Sequence, residues 1–346
     1  MSHRVSPILG YGSGSVSSRV ILVTGGAGYV GAHTCKALSR AGFVPVVLDN
    51  LSTGHASFVR WGPLIEADIN NSEAVISTLR DHQVVAVLHF AASAYVEESV
   101  TNPQKYYENN VAGSLALLNA MLQAGCLKIV FSSSCAVYGE PAQIPINESA
   151  PKNPVNPYGA SKLMVERILS DYGKACQLGS IALRYFNAAG ADPEAEVGEL
   201  RDPETHLIPR AMMAMQGHLF DFSVFGNDYP TPDGTAIRDY IHVSDLADAH
   251  VAGIEQLLRG GPSGTFNLGT GEGYSVKQVL DAISTETGVH LAVGAAPRRE
   301  GDPPTLVADP ILANEKLSFR PHRSELKTIV ASAWAWHRRA HPKRGY

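Results

Sequence analysis

Val20-Ile21-Leu22-Val23-Thr24-Gly25-Gly26-Ala27-Gly28-Tyr29-Val30-Gly31 is the stretch from which the rest of the chain can be read. Val20 to Val23 is an unbroken apolar run, as expected of a strand buried on both faces. It passes directly into a glycine-rich turn. Ala32, Cys35, Leu38 and Ala41 then recur at helical spacing, and Gly42 ends the helix. A second apolar run, Val44 to Leu48, stops at Asp49. Strand, glycine turn, helix, strand and acid together make a dinucleotide-binding unit. Gly25 serves the tight turn, Gly28 the approach of backbone to a pyrophosphate, and Gly31 the close packing of helix on strand. The pyrophosphate is expected on the helix N-terminus, where free amides and the helix dipole favour negative charge. Asp49 is placed for the adenosine ribose hydroxyls. Its charge would repel a 2′-phosphate, so NAD is expected rather than NADP.

Outward from this unit the alternation continues. Leu64–Ile69 reads as a short strand carrying Asp68, an acid placed for adenine. Ala74–Asp81 reads as a helix, Val84–Phe90 as a buried strand leading into Ala91-Ala92-Ser93, and Tyr106–Ala124 as one long helix. Leu127–Phe131 reads as a strand with Ser132-Ser133-Ser134 at its end. Ligands in such sheets bind beyond the carboxyl ends of strands, so these serines are placed to act. Asn156 and Pro157 suit the start of a helix running to Tyr172, and Ser180–Arg184 is the next strand. After Ala188 the pattern loosens into an acidic loop, a short helix from His206, strands at Phe222–Phe225 and Arg238–Val243, and a helix to Leu258. A strand at Thr265–Gly269 and a helix at Val276–Thr287 follow. The expected fold is α/β, a Rossmann-like doubly wound parallel sheet with a smaller C-terminal substrate-binding lobe. The expected division is a loose tail at 1–18, an NAD-binding part at 19–188 with 236–268 packing back on it, and a lobe from 189–235 and 269–340.

Composition narrows the class. Of 346 residues, 45% are hydrophobic and 18% charged, as in ordinary globular proteins. A net charge of −5 gives nucleic-acid binding no electrostatic support. The four cysteines form no C-x-x-C pair, and the histidines are read as scattered, with no H-x-x-x-H or H-E-x-x-H pattern, so reduced thiols and no metal centre are expected. No run of 18 apolar residues suggests a membrane span, and the N-terminus lacks the apolar core of a signal peptide. A cytoplasmic protein is expected, with the basic C-terminal run from His337 to Arg344 as a solvated tail.

The chemistry centres on Tyr158 and Lys162, four residues apart and so on one helical face. A phenol with a pKa of about 10 is a poor base at neutral pH. A cation beside it is expected to lower that pKa, so that Tyr158 exchanges a proton with a sugar hydroxyl. Ser134 can hydrogen-bond the reacting oxygen.

With these pieces in place, the chain resembles the extended short-chain dehydrogenase/reductase family, and within it the branch of UDP-hexose 4-epimerases. The resemblance runs from about Val20 to Trp336. Its motifs include the glycine turn, Leu48-Asp49-Asn50-Leu51-Ser52, Phe131-Ser132-Ser133-Ser134, Tyr138-Gly139 and Asn156-Pro157-Tyr158-Gly159 with Ser161-Lys162. Arg184-Tyr185-Phe186-Asn187, Val224–Thr231, Arg238–Val243 and Arg298-Arg299-Glu300-Gly301-Asp302 continue it. The resemblance implies further NAD contacts at Tyr29, Val30, Asn50, Ile69, Phe90, Ala91, Ala92, Asn109, Ser132 and Tyr185. Tyr158 and Lys162 are implied as NAD contacts too, Lys162 through the nicotinamide ribose hydroxyls, and Arg238 and Arg299 as a clamp on the UDP diphosphate. Asn187, His206, Leu207, Phe225, Tyr240, Val276 and Asp302 are implied as further UDP-sugar contacts.

The reaction implied is NAD-dependent interconversion of UDP-galactose and UDP-glucose through a transient 4-keto sugar, in a homodimer packed through two long helices. Three positions depart from the common pattern of the family: Ala94, Cys135 and Leu306. Leu306 keeps UDP-pentoses and UDP-N-acetylhexosamines open as substrates. Cys135 and Ala136, where dehydratases carry an acid beside the serine, speak against elimination chemistry. An oxidoreductase that releases reduced cofactor and a non-catalytic binding module are the remaining alternatives.

Overall fold

A computed structural model describes residues 19–299 and 301–341. The expected tail at 1–18 lies outside the described residues, as do residues 300 and 342–346. The chain opens with β1 (Val20–Thr24), α1 (Tyr29–Arg40), β2 (Val44–Asp49), β3 (Leu64–Glu66), α2 (Ser72–Asp81) and β4 (Ala86–His89). Two short helices follow, α3 (Val96–Thr101) and α4 (Pro103–Tyr106), then a π-helical turn (Tyr107–Ala112) and α5 (Gly113–Ala124). β5 (Lys128–Ser134), α6 (Pro157–Cys176), β6 (Gly179–Tyr185), β7 (Asn187–Ala189) and α7 (Leu207–Met215) come next. After β8 (Ser223–Phe225), β9 (Ile237–Arg238) and β10 (Tyr240–His242) run α8 (Val243–Leu258) and β11 (Gly264–Leu268). The chain closes with β12 (Tyr274–Ser275), α9 (Val276–Thr287), β13 (Gly294–Ala296), β14 (Thr305–Leu306), α10 (Ile311–Lys316) and α11 (Leu326–Ala340).

Seven parallel strands form the main sheet, in the order β11-β6-β5-β4-β1-β2-β3. Successive side chains of a strand face opposite sides. Ile21 and Val23 therefore enter the layer that holds Leu246 and Ile254 of α8, while Leu22 enters the one that holds Leu117 of α5 and Val165 of α6. Both faces are covered, which is why the strands read as continuous apolar runs. The strand order reverses between β1 and β4, and ligands of such sheets sit at that switch point. α6 begins as its sequence suggests: Asn156 Oδ1 accepts the Gly159 amide at 2.9 Å, and Pro157 stands in the first turn.

Four elements differ from their sequence reading. The helix expected over Tyr106–Ala124 is interrupted by the π turn, which turns Asn110 inward to serve Ser93 and Ser161. The strand carrying Asp68 stops at Glu66, because Asp68 Oδ1 takes the Asn70 amide and bends the chain. The run Arg238–Val243 splits at Asp239, with β9 in a three-stranded sheet and β10 paired to β7. The C-terminal run is a helix as far as Ala340. Ile329, Val330, Ala333 and Trp336 recur at helical spacing and are buried. His337 and His341 do form an H-x-x-x-H pair there, against the reading of the histidines as scattered, and their rings stack at 5.3 Å.

One ion pair ties α6 to β6. Arg184 donates Nε to Glu166 Oε1 (2.8 Å) and Nη2 to Oε2 (2.5 Å), and both side chains are buried. Ser133 Oγ donates to the same carboxylate at 2.6 Å. Removing one partner of such a pair strands a buried charge. Glu166→Ala should therefore lower stability by about 3 kcal/mol in urea unfolding, and a loss below about 1 kcal/mol would show that the charge finds another partner.

Candidate active site

The turn between β1 and α1 is built for glycine at two places. Gly25 has a φ of +72°, and a Cβ there would lie 2.5 Å from the Ala91 amide nitrogen. A Cβ on Gly31 would lie 2.3 Å from the Gly25 carbonyl oxygen. Gly28 precedes a helix with no capping side chain and no acid in its first turn. The first amides of α1, Tyr29 and Val30 among them, are left without an intrahelical partner. The side chain of Tyr29 is buried and its hydroxyl donates to the Gly190 carbonyl at 2.6 Å, so only its backbone remains at the turn.

Asp49 ends β2. Its Oδ2 accepts the Ala27 amide (3.0 Å) and its Oδ1 the Leu51 amide (2.9 Å). Burial raises its pKa and these two bonds oppose the rise. Asn50 donates to Asp68 Oδ2 at 2.7 Å. Burial pushes the Asp68 carboxyl up, but amides from Asn70 and Asn50 outweigh it and hold it below its ordinary value. Ile69 is buried behind them, against Gly113. The Phe90 and Ala91 amides donate to Thr24 O, which joins the ends of β4 and β1. Ala92 and Ser93 follow, and Asn109 Nδ2 reaches Ser93 Oγ at 3.3 Å. An uncapped helix start, a turn closed to Cβ atoms and a half-satisfied carboxylate at the next strand end fit a dinucleotide such as NAD.

The proton chemistry lies one strand further along. Ser134 is the last residue of β5, Tyr158 opens α6, and Lys162 sits one turn on; all three are buried. Lys162 Nζ donates to Ser132 O at 2.8 Å and lies 5.8 Å from the Tyr158 ring centre. Ser132 Oγ donates to the Tyr185 hydroxyl at 3.1 Å. Burial depresses the Lys162 pKa to about 7, against the opposing pull of Glu166. The Tyr158 pKa is raised, by burial first and the neighbouring Tyr185 next, with Ser134 pulling the other way. The Lys162 ammonium is turned to the Ser132 carbonyl, and burial raises the phenol where a lowering by the lysine is expected.

The second half supplies charged groups. Arg238 pairs with Asp302 and also donates to Ile237 O at 2.7 Å. Arg299 lies over the Phe225 ring at 4.3 Å and pairs with Glu97 at 3.0 Å. The structure thus brings Arg238 to Asp302 and Arg299 to Phe225. Tyr240 is buried in β10, its pKa pushed up to about 12 by that burial. Val276 opens α9 and Leu207 opens α7. Two expected substrate contacts are otherwise engaged. Asn187 Nδ2 donates to Asp239 O at 3.1 Å. The His206 ring lies 2.8 Å from Glu204 and 3.2 Å from Glu199, whose charges raise its pKa against burial. Asn110 and Asp239 organise the site without any signal in the sequence, since a π turn and a strand break leave no periodicity to read.

Residues 21–269 match the NAD dependent epimerase/dehydratase family. The UDP-glucose 4-epimerase of Rhizobium meliloti (strain 1021) is 51% identical, over 92% of this chain and 97% of its own. That of Azospirillum brasilense is 50% identical, over 94% and 93%. The crystal structure of UDP-glucose 4-epimerase from Brucella ovis in complex with NAD superposes with a TM-score of 0.90 at 52% identity, over 92% of this chain and 98% of that one. A glycine turn, a strand-end acid and a buried Ser-Tyr-Lys set thus occur in a chain matched almost end to end by such enzymes, and the chain belongs to the NAD dependent epimerase/dehydratase family.

Proposed function

We propose that this chain is an isomerase that interconverts UDP-galactose and UDP-glucose through a transient 4-keto sugar, with NAD held throughout. The observation that carries this reading is the burial of Ser134, Tyr158 and Lys162 at the strand ends of a dinucleotide fold. NAD, when bound, supplies the two-electron acceptor and, in its oxidised form, a positive charge beside the phenol. The α1 amides would hold its pyrophosphate and Asp49 its adenosine ribose. Tyr158 takes the proton from the hydroxyl on sugar carbon 4 and later returns it. Ser134 donates to the oxygen that becomes the carbonyl. Lys162, which donates to Ser132 O, would also hold the nicotinamide ribose hydroxyls. Arg238 and Arg299 exchange their carboxylate partners for the UDP diphosphate, a task suited to planar guanidinium forks.

The division of labour follows the same line: 19–188 with 236–268 for NAD, and 189–235 with 269–340 for the UDP-sugar. What supports it is that α8 packs on the main sheet and β11 is its edge strand, paired with β6. A second reading, UDP-N-acetylhexosamine or UDP-pentose as substrate, is favoured by Leu306. This apolar side chain packs beside Val137 and Phe186 and offers a sugar no hydrogen bond. A panel of UDP-sugars with product stereochemistry read by NMR separates the two. Among the described residues no helix is long and apolar enough to cross a membrane. A cytoplasmic homodimer packed through α5 and α6 fits this reading, and Met164 on α6 is 44% exposed at a position such a contact could cover.

Tyr158→Phe should keep the fold and bound NAD while losing about 10²–10⁴-fold in epimerisation, measured as UDP-galactose turnover without added NAD. Near-normal turnover would refute the role of Tyr158. Arg238→Gln should raise the KM for UDP-galactose and the inhibition constant of UDP together, by about tenfold or more, since a charge-assisted contact to phosphate is lost from both. An unchanged UDP inhibition constant would remove Arg238 from the diphosphate clamp.

A further inference from the structure

The loop between β7 and α7 carries a cation that the reaction as described does not use. Arg201 Nε donates to Glu199 Oε1 at 2.8 Å, and the guanidinium lies 5.8 Å from the centre of the Tyr95 ring. Both partners are themselves fixed. The Glu199 carbonyl accepts Trp336 Nε1 at 2.9 Å. The Tyr95 carbonyl accepts the Tyr106 hydroxyl, and the Tyr106 ring meets the Tyr158 ring edge-on at 6.4 Å. The contacts Arg201–Tyr95–Tyr106–Tyr158 link the guanidinium step by step to Tyr158. Its charge is felt at both Tyr158 and Tyr185. Among the described residues, Nε alone has a hydrogen-bond partner. The side chain is 25% exposed, and neither Nη has a hydrogen-bond partner among the described residues.

An arginine held by one nitrogen and one aromatic face, with its remaining donors open, is arranged to receive oxygen acceptors. Its position near Tyr158 makes the sugar the part of the substrate within reach. We propose that Arg201 is a further substrate-binding residue, whose free guanidinium edge hydrogen-bonds the hydroxyl oxygens of the hexose while Tyr158 acts on carbon 4. The assignment rests on the epimerase reading. It differs from the roles of Arg238 and Arg299 in that Arg201 holds the sugar rather than the diphosphate. A contact of this kind discriminates UDP-hexose from UDP.

The test compares Arg201→Gln and Arg201→Lys with the wild-type holoenzyme, in which turnover of UDP-galactose checks the epimerase reading separately. Lysine keeps a charge for Glu199 but lacks the fork, so a loop held only by that ion pair would survive it. Both variants should lose about tenfold or more in kcat/KM for UDP-galactose, the scale of a lost charge-assisted bond. The inhibition constant of UDP and the NAD content should stay within about twofold of wild type. A kcat/KM within about twofold of wild type in both variants would overturn the proposal. So would a parallel loss of UDP affinity or NAD content, which would mark Arg201 as a support of the loop only.

Discussion

The buried carboxylate of Asp239 is the constraint on which the second half of the structure depends. It is fully inaccessible, and a buried charge is tolerated only when its lone pairs are filled. Four donors fill them: the Thr270 amide and hydroxyl, the Gly271 amide and the Ala308 amide. These come from the loop that follows β11 of the main sheet and from the segment after β14. One side chain thereby joins the edge of the nucleotide-binding sheet to two remote pieces of chain. Its backbone extends the junction, with its amide bonded to Leu306 O and its carbonyl accepting the Asn187 amide. Arg238 and Tyr240 flank Asp239, so the residue that welds the parts together also places the groups assigned to the nucleotide.

A second constraint is electrostatic and works against the first impression of the Tyr158–Lys162 pair. Spacing along a helix brings two side chains to one face, but burial decides what they do there. Tyr158 and Lys162 are each at least nine-tenths inaccessible. Desolvation penalises the charged form of both, raising the phenol and lowering the amine. Desolvation thus opposes the phenolate and the ammonium alike, and positive charge brought close by would favour loss of the phenol proton.

What could be read in the sequence follows from where its signals lie. The Val20–Asp49 unit was legible because its strands, turn and helix are local and each glycine meets a steric demand of its own, as the contacts at Gly25 and Gly31 show. α6 was legible because Asn156 and Pro157 are strong start signals. The break at Asp239 was not, since its cause is four donors that lie 31 to 69 residues away in the chain. α11 was hidden by its own charge: a basic last turn looks like a tail until Trp336 is seen bonded to Glu199. The ring of His206 was assigned to substrate on family likeness, and only the fold reveals that Glu204 and Glu199 already hold it.

The distribution of charge then bears on how one site can act on both faces of a sugar. Arg238 and Arg299 come from β9 and from the loop before β14, apart from the strand ends that carry Ser134 and Tyr158. If the diphosphate takes most of the binding energy there, the hexose can be held weakly, and a sugar held weakly is free to turn. Uniformly tight binding of one orientation would slow the return step from the other. The surroundings of Tyr158 meet that need: hydroxyls from Ser134 and Tyr185, aromatic edges such as Tyr106, and no carboxylate hydrogen-bonded to its phenol among the described residues. Hydroxyl and aromatic contacts are individually modest, and the several donors of the Arg201 fork can pass from one sugar hydroxyl to another as the ring rotates, whereas a carboxylate on the phenol would favour a single pose.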